Sequence, residues 1–251
     1  MKLSFKAVDL ELKYPFTIAN FSRTSTPLML TTVEYDGLVG YGEASMPPYL
    51  GESHETAAEF LSKIELNQFS SPENLEEILT YVDAIAPGNP AAKAAVDIAL
   101  HDLLGKLSNK PCYELVNADP AQMPATSCTI GIDTAEVVRK KVAETAPFKF
   151  LKVKLGRDND KEMIETIRSM TDKPLYVDAN QGWRDKHEAL DMMHWLAEHG
   201  VVFVEQAMPK ALIDENAWLT EHSPLPTFGD EAVQRYDDVD KAKGVYSGVN
   251  I

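Results

Sequence analysis

Short apolar runs alternate with helical stretches in the second half of the chain, and this alternation constrains the fold more than any other feature. From about residue 124, the predicted strands are 125–130, 150–155, 175–178, 201–205, 226–229 and 249–251. The helical stretches between them are 134–145, 160–170, 186–199, 211–221 and a short one near 236–243. Repeated units of this length predict an α/β fold with a parallel sheet, either doubly wound or a (β/α)8 barrel. No GxGxxG or GxxxxGK[ST] motif follows the first strand, which argues against a nucleotide-binding sheet.

The first part of the chain has a different organisation. Strand-like runs come first, and the Asp36-Gly37 pair between two of them predicts a hairpin turn. Helices follow, with predicted starts after Ser53 and at 71–74 and a long alanine-rich helix over 91–107. Strands followed by helices alone predict a separate α+β capping domain over residues 1–123. The repeated strand–helix units then form a second domain over residues 124–251.

The predicted strand that precedes Gly156 carries two lysines, Lys152 and Lys154. Residues two apart on a strand point to the same face, so the two ammonium groups are expected side by side. Like charges this close disfavour each other's protonation, so we expect at least one lysine to have a lowered pKa. Such a lysine can remove a proton from carbon near neutral pH. For this stretch alone, an edge strand with both lysines facing water is the alternative.

Three of the following strands end in a carboxylate, at Asp178, Glu205 and Asp230. The steps from Lys152 through these three positions are 26, 27 and 25 residues, one strand–helix unit each. In a barrel, equivalent positions on successive strands lie side by side at the carboxyl end, where active sites are built. Three neighbouring carboxylates with room for water and substrate suit Mg²⁺. The alternative is that each acid only caps the helix after its strand.

These parts together predict a reaction class. A divalent ion bound to a substrate carboxylate stabilises an enediolate, and an adjacent lysine can remove the α-proton. The sequence therefore predicts proton abstraction next to a carboxylate, with electrostatic stabilisation as the largest contribution.

The combined motifs resemble those of the enolase superfamily, in its muconate-lactonizing subgroup. They are Lys152-Val153-Lys154, Asp178-Ala179-Asn180, Glu205-Gln206 and Gly229-Asp230-Glu231. Within the subgroup, the chain is most similar to dipeptide epimerases of the L-Ala-D/L-Glu type. The resemblance implies a (β/α)8 barrel preceded by the capping domain, Mg²⁺ as cofactor, and a small acidic dipeptide as substrate.

The resemblance also implies roles for individual residues. Lys154 would be one acid/base, and Lys152 would contact the substrate carboxylate. The loop over residues 18–23 resembles the substrate loop of these epimerases, in which the arginine matching Arg23 meets the side-chain carboxylate of a C-terminal glutamate. Thr129 would line the pocket. The predicted substrate-binding residues are Arg23, Thr129, Lys152 and Asn180, and the predicted metal ligands are Asp178, Glu205 and Asp230.

One departure from the family concerns the end of the chain. The sequence stops at Ile251, inside what the resemblance makes the sixth barrel strand. The family carries its second acid/base lysine just after this point, and further on an acidic pair that holds the dipeptide ammonium. A barrel cut here has open sheet edges. We therefore expect a fragment of a longer protein, in which residues beyond Ile251 complete the epimerase.

Two other functions are compatible with the same residues. A cycloisomerase or an o-succinylbenzoate synthase would use the same half-site, although Arg23 favours a substrate with an acidic side chain. A non-catalytic metal- or carboxylate-binding domain belongs to a different class, and the missing end would permit it. A lysine shortly after Ile251 in the complete reading frame would favour the enzymes.

Composition limits the partners and the setting. The formal net charge of −15 argues against nucleic acid and anionic membranes as partners. No apolar run reaches the length of a signal-peptide core or a membrane span. Cys112 and Cys128 are the only cysteines, which favours a reducing cytoplasm over a disulfide framework. The oligomeric state stays open, a homo-oligomer included.

Overall fold

Two sheets, one in each of two units, organise the chain in the computed structural model, which describes residues 1–250 apart from the side chain of Tyr49. The first unit comprises Met1–Lys13 and Thr24–Met123. The second comprises Tyr14–Arg23 and the chain from Pro124 onward. As independently folding domains, 1–123 and 124–251 stay a prediction. Among residues 1–250, no helix has the length and apolar character that crossing a membrane requires.

The first sheet has three strands in chain order: β1 Lys2–Thr17, β2 Ser22–Tyr35 and β3 Leu38–Ser45. Strands β2 and β3 pair antiparallel, from Leu28 opposite Ser45 to Tyr35 opposite Leu38. The turn between them has positive φ at both central residues, 49° at Asp36 and 74° at Gly37. This matches the right-handed twist of the flanking strands and confirms the predicted hairpin.

Four helices follow in this unit: α1 His54–Leu61, α2 Leu75–Ile85, α3 Pro90–Ser108 and the short α4 Cys112–Leu115. Helix α1 begins at the predicted cap, with Ser53 and Thr56 bonded reciprocally in a capping box. Helix α2 begins later than predicted because residues 71–74 form a turn, closed by the Asn74 N–H on the Ser71 carbonyl.

Helix α3 packs directly on β3 through small residues. A Cβ atom at Gly40 or Gly42 would overlap the carbonyl oxygens of Ala99 and Ala95 on that helix. Glycine on the strand and alanine on the helix therefore let the two backbones touch. Helix residues Leu100 and Leu103 are fully buried in the same core.

The second sheet has six parallel strands, and helices connect them. The strands are β4 Ser127–Ile130, β5 Phe150–Lys154, β6 Leu175–Asp178, β7 Val201–Glu205, β8 Thr227–Gly229 and β9 Gly248–Val249. The helices are α5 Ala135–Ala143, α6 Asp160–Arg168, α7 Lys186–Glu198, α8 Ile213–His222 and α9 Asp238–Ala242. Each strand lies beside its neighbours in sequence. A doubly wound sheet reverses its strand order, so this unbroken order indicates barrel winding.

The two faces of this sheet have different side chains. Leu151 and Val153 of β5 are fully buried in a core that they share with residues of α5 to α8, such as Ile164 and Met193. Lys152 and Lys154 alternate with them and face the other way, as the period of a strand requires. Because the strands are parallel, their carboxyl ends meet along one edge.

The segment Tyr14–Arg23 crosses the carboxyl ends of β4 to β6. The Ile132 N–H donates to the Thr17 carbonyl at 3.0 Å, and Arg157 Nε donates to the Ala19 carbonyl at 3.1 Å. Asn20 Nδ2 donates to the Asn180 carbonyl at 3.0 Å. These bonds place the predicted substrate loop over the edge of the sheet at which the strand-end carboxylates lie.

Candidate active site

Strand register brings the predicted acid/base and metal residues together. Lys154 is opposite Asp178 across β5 and β6, and Asp178 is opposite Glu205 across β6 and β7. Asp230 follows β8 directly. One carboxylate oxygen from each of Asp178, Glu205 and Asp230 lies within 4.8 Å of the others. Asp178 is fully buried and Glu205 nearly so, which makes the crowding of negative charge costly.

Both lysines point into this cluster. Lys154 Nζ lies 2.5 Å from Asp178 Oδ2, and Lys152 Nζ lies 2.9 Å from the same oxygen. Lys152 Nζ also donates to both Glu205 oxygens, at 2.7 and 2.8 Å. The predicted common face of the two lysines is confirmed, because both ammonium groups share one carboxylate oxygen.

The lowered pKa expected for at least one lysine of this pair does not occur at Lys152. Burial by itself would lower the pKa of its ammonium group, but Asp178 and Glu205 outweigh burial and raise it above the ordinary value. Burial likewise opposes the charge on Asp178, yet Lys154 and Lys152 hold the pKa of this carboxyl below its usual range.

Glu205 behaves in the opposite way. Burial and the neighbouring Asp178 raise the pKa of the Glu205 carboxyl to about 7, although Lys152 opposes the change. The difference follows from the contacts, since Asp178 has two ammonium groups within hydrogen-bond distance and Glu205 shares only one of them. Burial, together with Asp178 and Asp230, also raises the pKa of Glu231.

Unpartnered oxygens at the site fit a divalent cation. Glu231 Oε2 and Asn180 Oδ1 are buried and have no hydrogen-bond partner among residues 1–250. Buried polar atoms normally have partners, so these two oxygens are suited to a cation or to water bound to it. A cation would also relieve the repulsion between Glu205 and Asp178. The donor atoms are all oxygens, and Mg²⁺ is the common ion that such a set prefers.

The loops after β6 and β7 hold these groups in an unusual backbone conformation. The φ angles of Asn180 and Gln206 are 43° and 36°, in the left-handed region that residues other than glycine seldom adopt. The Asn180 N–H donates to Asp178 Oδ1 at 2.9 Å, and Asn180 Nδ2 donates to Glu231 Oε1 at 3.2 Å. Asn180 therefore joins the carboxylate cluster directly, and its contact with a substrate stays a prediction.

Arg23 and Thr129 lie in the same unit as the cluster. Thr129 is exposed and is opposite Lys152 in the pairing of β4 with β5, so it borders the side of the cluster at which Lys152 lies. The Arg23 guanidinium lies over the Phe16 ring, with Cζ 5.4 Å from the ring centroid. Its Nε and Nη1 atoms are buried and have no hydrogen-bond partner in the described part of the chain.

Several residues that shape the site were not predicted from the sequence. Glu231 stands in the recognised Gly229-Asp230-Glu231 motif, which is the signal that could have found it. Asn20 lies in the predicted substrate loop and bonds to the Asn180 carbonyl. Asn250 Nδ2 donates to Glu205 Oε1 at 3.0 Å, and nothing in its sequence context indicates this role.

Comparison with known families covers both units. Residues 2–117 match the mandelate racemase / muconate lactonizing enzyme, N-terminal domain, and residues 133–244 match the enolase C-terminal domain-like family. The chain belongs to the mandelate racemase and muconate lactonizing enzyme family of the enolase superfamily. The motif-based resemblance is thereby confirmed at the level of the family.

Individual relatives are epimerases. The chain is 57% identical over 252 residues to the L-Ala-D/L-Glu epimerase of Bacteroides thetaiotaomicron, a match that covers 100% of this chain and 66% of the relative. It is 36% identical to the L-Ala-D/L-amino acid epimerase of Pedosphaera parvula, covering 100% and 74%. The chain therefore spans about two thirds to three quarters of the length of these relatives.

The fold matches solved structures of the same class. The dipeptide epimerase of Enterococcus faecalis, solved with Mg and the dipeptide L-Leu-L-Tyr, has 30% sequence identity and a TM-score of 0.87. The match covers 99% of this chain and 73% of that one. This likeness confirms the predicted barrel class for the second unit and the α+β cap for the first.

Proposed function

We propose that the protein is a Mg²⁺-dependent dipeptide epimerase of the L-Ala-D/L-Glu type. The observation that carries this proposal is the pair of lysines at Asp178, beside two further carboxylates at the ends of β7 and β8. Lysine serves as a base toward a carbon acid, and the carboxylate cluster fits a cation that would hold the substrate carboxylate. The similarity to the Bacteroides thetaiotaomicron epimerase supports the same reaction.

The two lysines would divide the chemistry between them. Lys154, as the neutral amine, takes the α-proton of the C-terminal residue, and the electron pair left on carbon spreads into the adjacent carboxylate. Lys152 stays charged, as its raised pKa favours, and holds that carboxylate. Bound Mg²⁺ would supply further positive charge at the same place, held by Asp178, Glu205 and Asp230.

Inversion of the α-carbon needs a second acid/base. Its ammonium group must face the opposite side of the α-carbon from Lys154 and return a proton there, which completes the epimerisation without net gain or loss of protons. The family resemblance implies that a second lysine has this role.

Arg23 would select the acidic side chain. Its buried Nε and Nη1 atoms have no hydrogen-bond partner among residues 1–250, and a carboxylate is a group that a guanidinium binds strongly. The segment that carries Arg23 lies over the carboxyl ends of β4 to β6, at the edge where Lys154 and Asp178 lie. An acidic dipeptide such as Ala-Glu therefore fits better than a dipeptide with two apolar side chains.

Proton NMR in D₂O with the full-length protein tests the proposal. With Mg²⁺ and L-Ala-L-Glu, we expect the α-proton of the glutamate to exchange and the second diastereomer to appear. Excess chelator should stop both processes. Absence of exchange from L-Ala-L-Glu and from a small set of other dipeptides, with Mg²⁺ present, would contradict the proposed function.

The setting and other partners remain part of this proposal. Cys112 and Cys128 are both free thiols, which supports a reducing, cytoplasmic setting. The exclusion of nucleic acid as a partner rests on the net charge and stays a prediction, as does a homo-oligomer.

A further inference from the structure

Gln206 immediately follows Glu205, and its side chain uses every hydrogen bond that an amide can make. Oε1 accepts from the Asp230 N–H at 3.0 Å and from the Ala232 N–H at 3.1 Å. Nε2 donates to the Met208 carbonyl at 3.1 Å and to the Tyr246 hydroxyl at 2.9 Å. Two acceptor positions and two donors are all that a glutamine amide offers. The residue is fully buried, so solvent supplies none of these bonds.

The orientation of this amide follows from its partners. Two backbone N–H groups face Oε1, and a rotated amide would direct its own N–H groups at them. The backbone of Gln206 is fixed as well, because its N–H donates to the Phe228 carbonyl at 2.7 Å and its carbonyl accepts from the Gln181 N–H at 2.8 Å. The backbone of Gln206 is therefore bonded to the chain on both sides of β7. With these bonds and a φ of 36°, the residue has little freedom to move.

The loop that receives the two bonds carries the third carboxylate of the cluster. Strand β8 has only three residues, and Asp230 follows it at once. Without Oε1, the half-buried Asp230 and Ala232 N–H groups would lose the acceptor that Gln206 supplies. An N–H group shielded from solvent and left without an acceptor is unfavourable, so the loop would rearrange to find another acceptor. That movement would carry the Asp230 carboxylate with it.

The donor side of the amide ties the same loop to the segment before β9. Tyr246, which accepts from Nε2, also packs on β8, since a Cβ at Gly229 would lie 3.0 Å from its Cδ2 atom. One buried side chain thus joins the ends of β7 and β8 to the segment that leads into β9.

We propose that Gln206 is a positioning residue of the metal site, which sets the Asp230 carboxylate at its distance from Glu205. Because all four hydrogen-bonding positions of its amide are used, Gln206 would not contact a bound cation. It acts through the backbone of Asp230, as outer groups do when they orient a ligand. This inference rests on the proposed function only through the Mg²⁺ site, and it adds a residue to which neither the motifs nor the relatives' names give a role.

Calorimetric titration of Mg²⁺ alone into the full-length protein tests the inference. Gln206→Met keeps the length of the side chain and removes all four bonds, and we expect the Kd for Mg²⁺ to rise about 10- to 100-fold. Gln206→Glu keeps the acceptor that faces Asp230 and Ala232, so its Kd should stay equal to or below that of wild type. Equal weakening in both variants would overturn the assignment of the acceptor oxygen.

Asn216→Leu is the matched control. Asn216 is a buried amide of the same unit, and its Nδ2 donates to the Pro209 and Leu212 carbonyls. Its loss should lower the melting temperature and leave the Kd for Mg²⁺ unchanged. If Gln206→Met behaves in the same way, Gln206 has only a structural role and the proposal is overturned.

Two further results keep the test decisive. If Gln206→Met does not fold, Gln206→Asn replaces it, because asparagine tolerates a positive φ and its shorter amide cannot span both sets of partners. It should weaken Mg²⁺ binding as well, and an unchanged Kd in a folded Gln206→Asn protein would refute the proposal. Absence of Mg²⁺ binding by the wild-type protein would instead contradict the proposed function, so the two failures are distinguishable.

Discussion

The two sides of the carboxylate cluster differ in how their charge is balanced. On the β5–β6 side, Asp178 accepts from two ammonium groups, those of Lys152 and Lys154, and its pKa is lowered. On the β7–β8 side, Glu205 contacts one ammonium group, that of Lys152, which it shares with Asp178, and the pKa of Glu205 is raised to about 7. Within residues 1–250, no ion pair reaches Asp230.

The comparison shows that position, and not residue type, decides what a strand-end acid can do. Equivalent carboxylates lie at the carboxyl ends of β6, β7 and β8, yet within residues 1–250 only the first is neutralised by the chain itself. The remaining negative charge on the β7–β8 side is what a divalent cation would balance. On the other side, Lys154 would then transfer the proton and Lys152 would hold the substrate carboxylate.

Replacing Lys154, on the β5–β6 side of the cluster, should have the largest effect on the epimerisation rate. Lys154→Ala in the full-length protein should lower the epimerisation rate by about 10²- to 10⁴-fold, because one face of the α-carbon loses its base. Exchange of the α-proton with D₂O should survive for one substrate stereoisomer, since the opposite base is intact. NMR of both isomers in D₂O measures the two rates together.

Lys152→Ala and Lys141→Ala sharpen that result. Lys152→Ala should impair both stereoisomers alike, because neither would have its carboxylate held. Lys141 is a buried lysine of the same unit, 3.1 Å from Asp133, so its replacement should affect stability and leave kcat unchanged. If Lys154→Ala exchanges both isomers at normal rates, the assignment of Lys154 is wrong.

Arg23 provides the reverse case, a cation with two buried donor atoms, Nε and Nη1, that have no partner within residues 1–250. Arg23→Met should raise KM for dipeptides that end in Glu by an amount equivalent to about 2–5 kcal/mol, since a desolvated charge pair is lost. Dipeptides that end in an apolar residue should change much less. Steady-state kinetics on both substrate types check this, and an equal change in both would place Arg23 outside the pocket.

The negative charge on the β7–β8 side of the cluster should make the metal-free protein less stable as the pH rises. The pKa of Glu205 is raised in the folded state. Between about pH 4.5 and pH 7, the folded protein therefore holds a proton on this carboxyl that the unfolded protein has released. Stability from this group is therefore present at low pH and is lost as the pH rises through about 7, a difference of about 2 kcal/mol between pH 5.5 and 8. Chemical denaturation at the two pH values, in chelator, measures the change.

Other carboxyl groups with a raised pKa change the stability in the same direction as Glu205, so this measurement requires a control. Burial raises the pKa of Asp160, and the Glu231 pKa is also raised, so both add to the slope. Glu205→Gln should remove only the part of the pH dependence of stability that Glu205 contributes. Saturating Mg²⁺ should reverse the trend in wild type, because a cation favours the ionised carboxylates. An unchanged pH dependence in Glu205→Gln would show that Glu205 is not the group responsible.

The predicted elements agree with the structure where an apolar run determines them. Strand β6 is bounded as predicted, Leu175–Asp178, because its buried run ends in a charged residue. Helix α2 begins later than its predicted start because Pro72 also suits the turn that the Asn74 N–H closes on the Ser71 carbonyl. Local signals of this kind do not distinguish the first turn of a helix from an isolated turn.

The sequence predicts those site residues that occupy equivalent positions on successive strands. The cluster of Asp178, Glu205 and Asp230 follows from equal positions on successive parallel strands, and the coordinates bring these three together. The bonds of Gln206 and Asn250 depend on side chains that reach across strands and loops, which periodicity does not indicate. The pKa of Lys152 depends on carboxylates one and two strands away, which outweigh its lysine neighbour.

Titration of Mg²⁺ into the full-length protein tests the central claim most directly. We predict that wild type binds one ion per chain, and that Asp230→Asn raises the Kd by more than about 100-fold, since a direct ligand matters more than an outer group. Asp185→Asn, which alters the carboxylate that caps α7 in the same unit, should bind Mg²⁺ as wild type does. Equal affinity in wild type and Asp230→Asn, or no binding by wild type, would contradict the account.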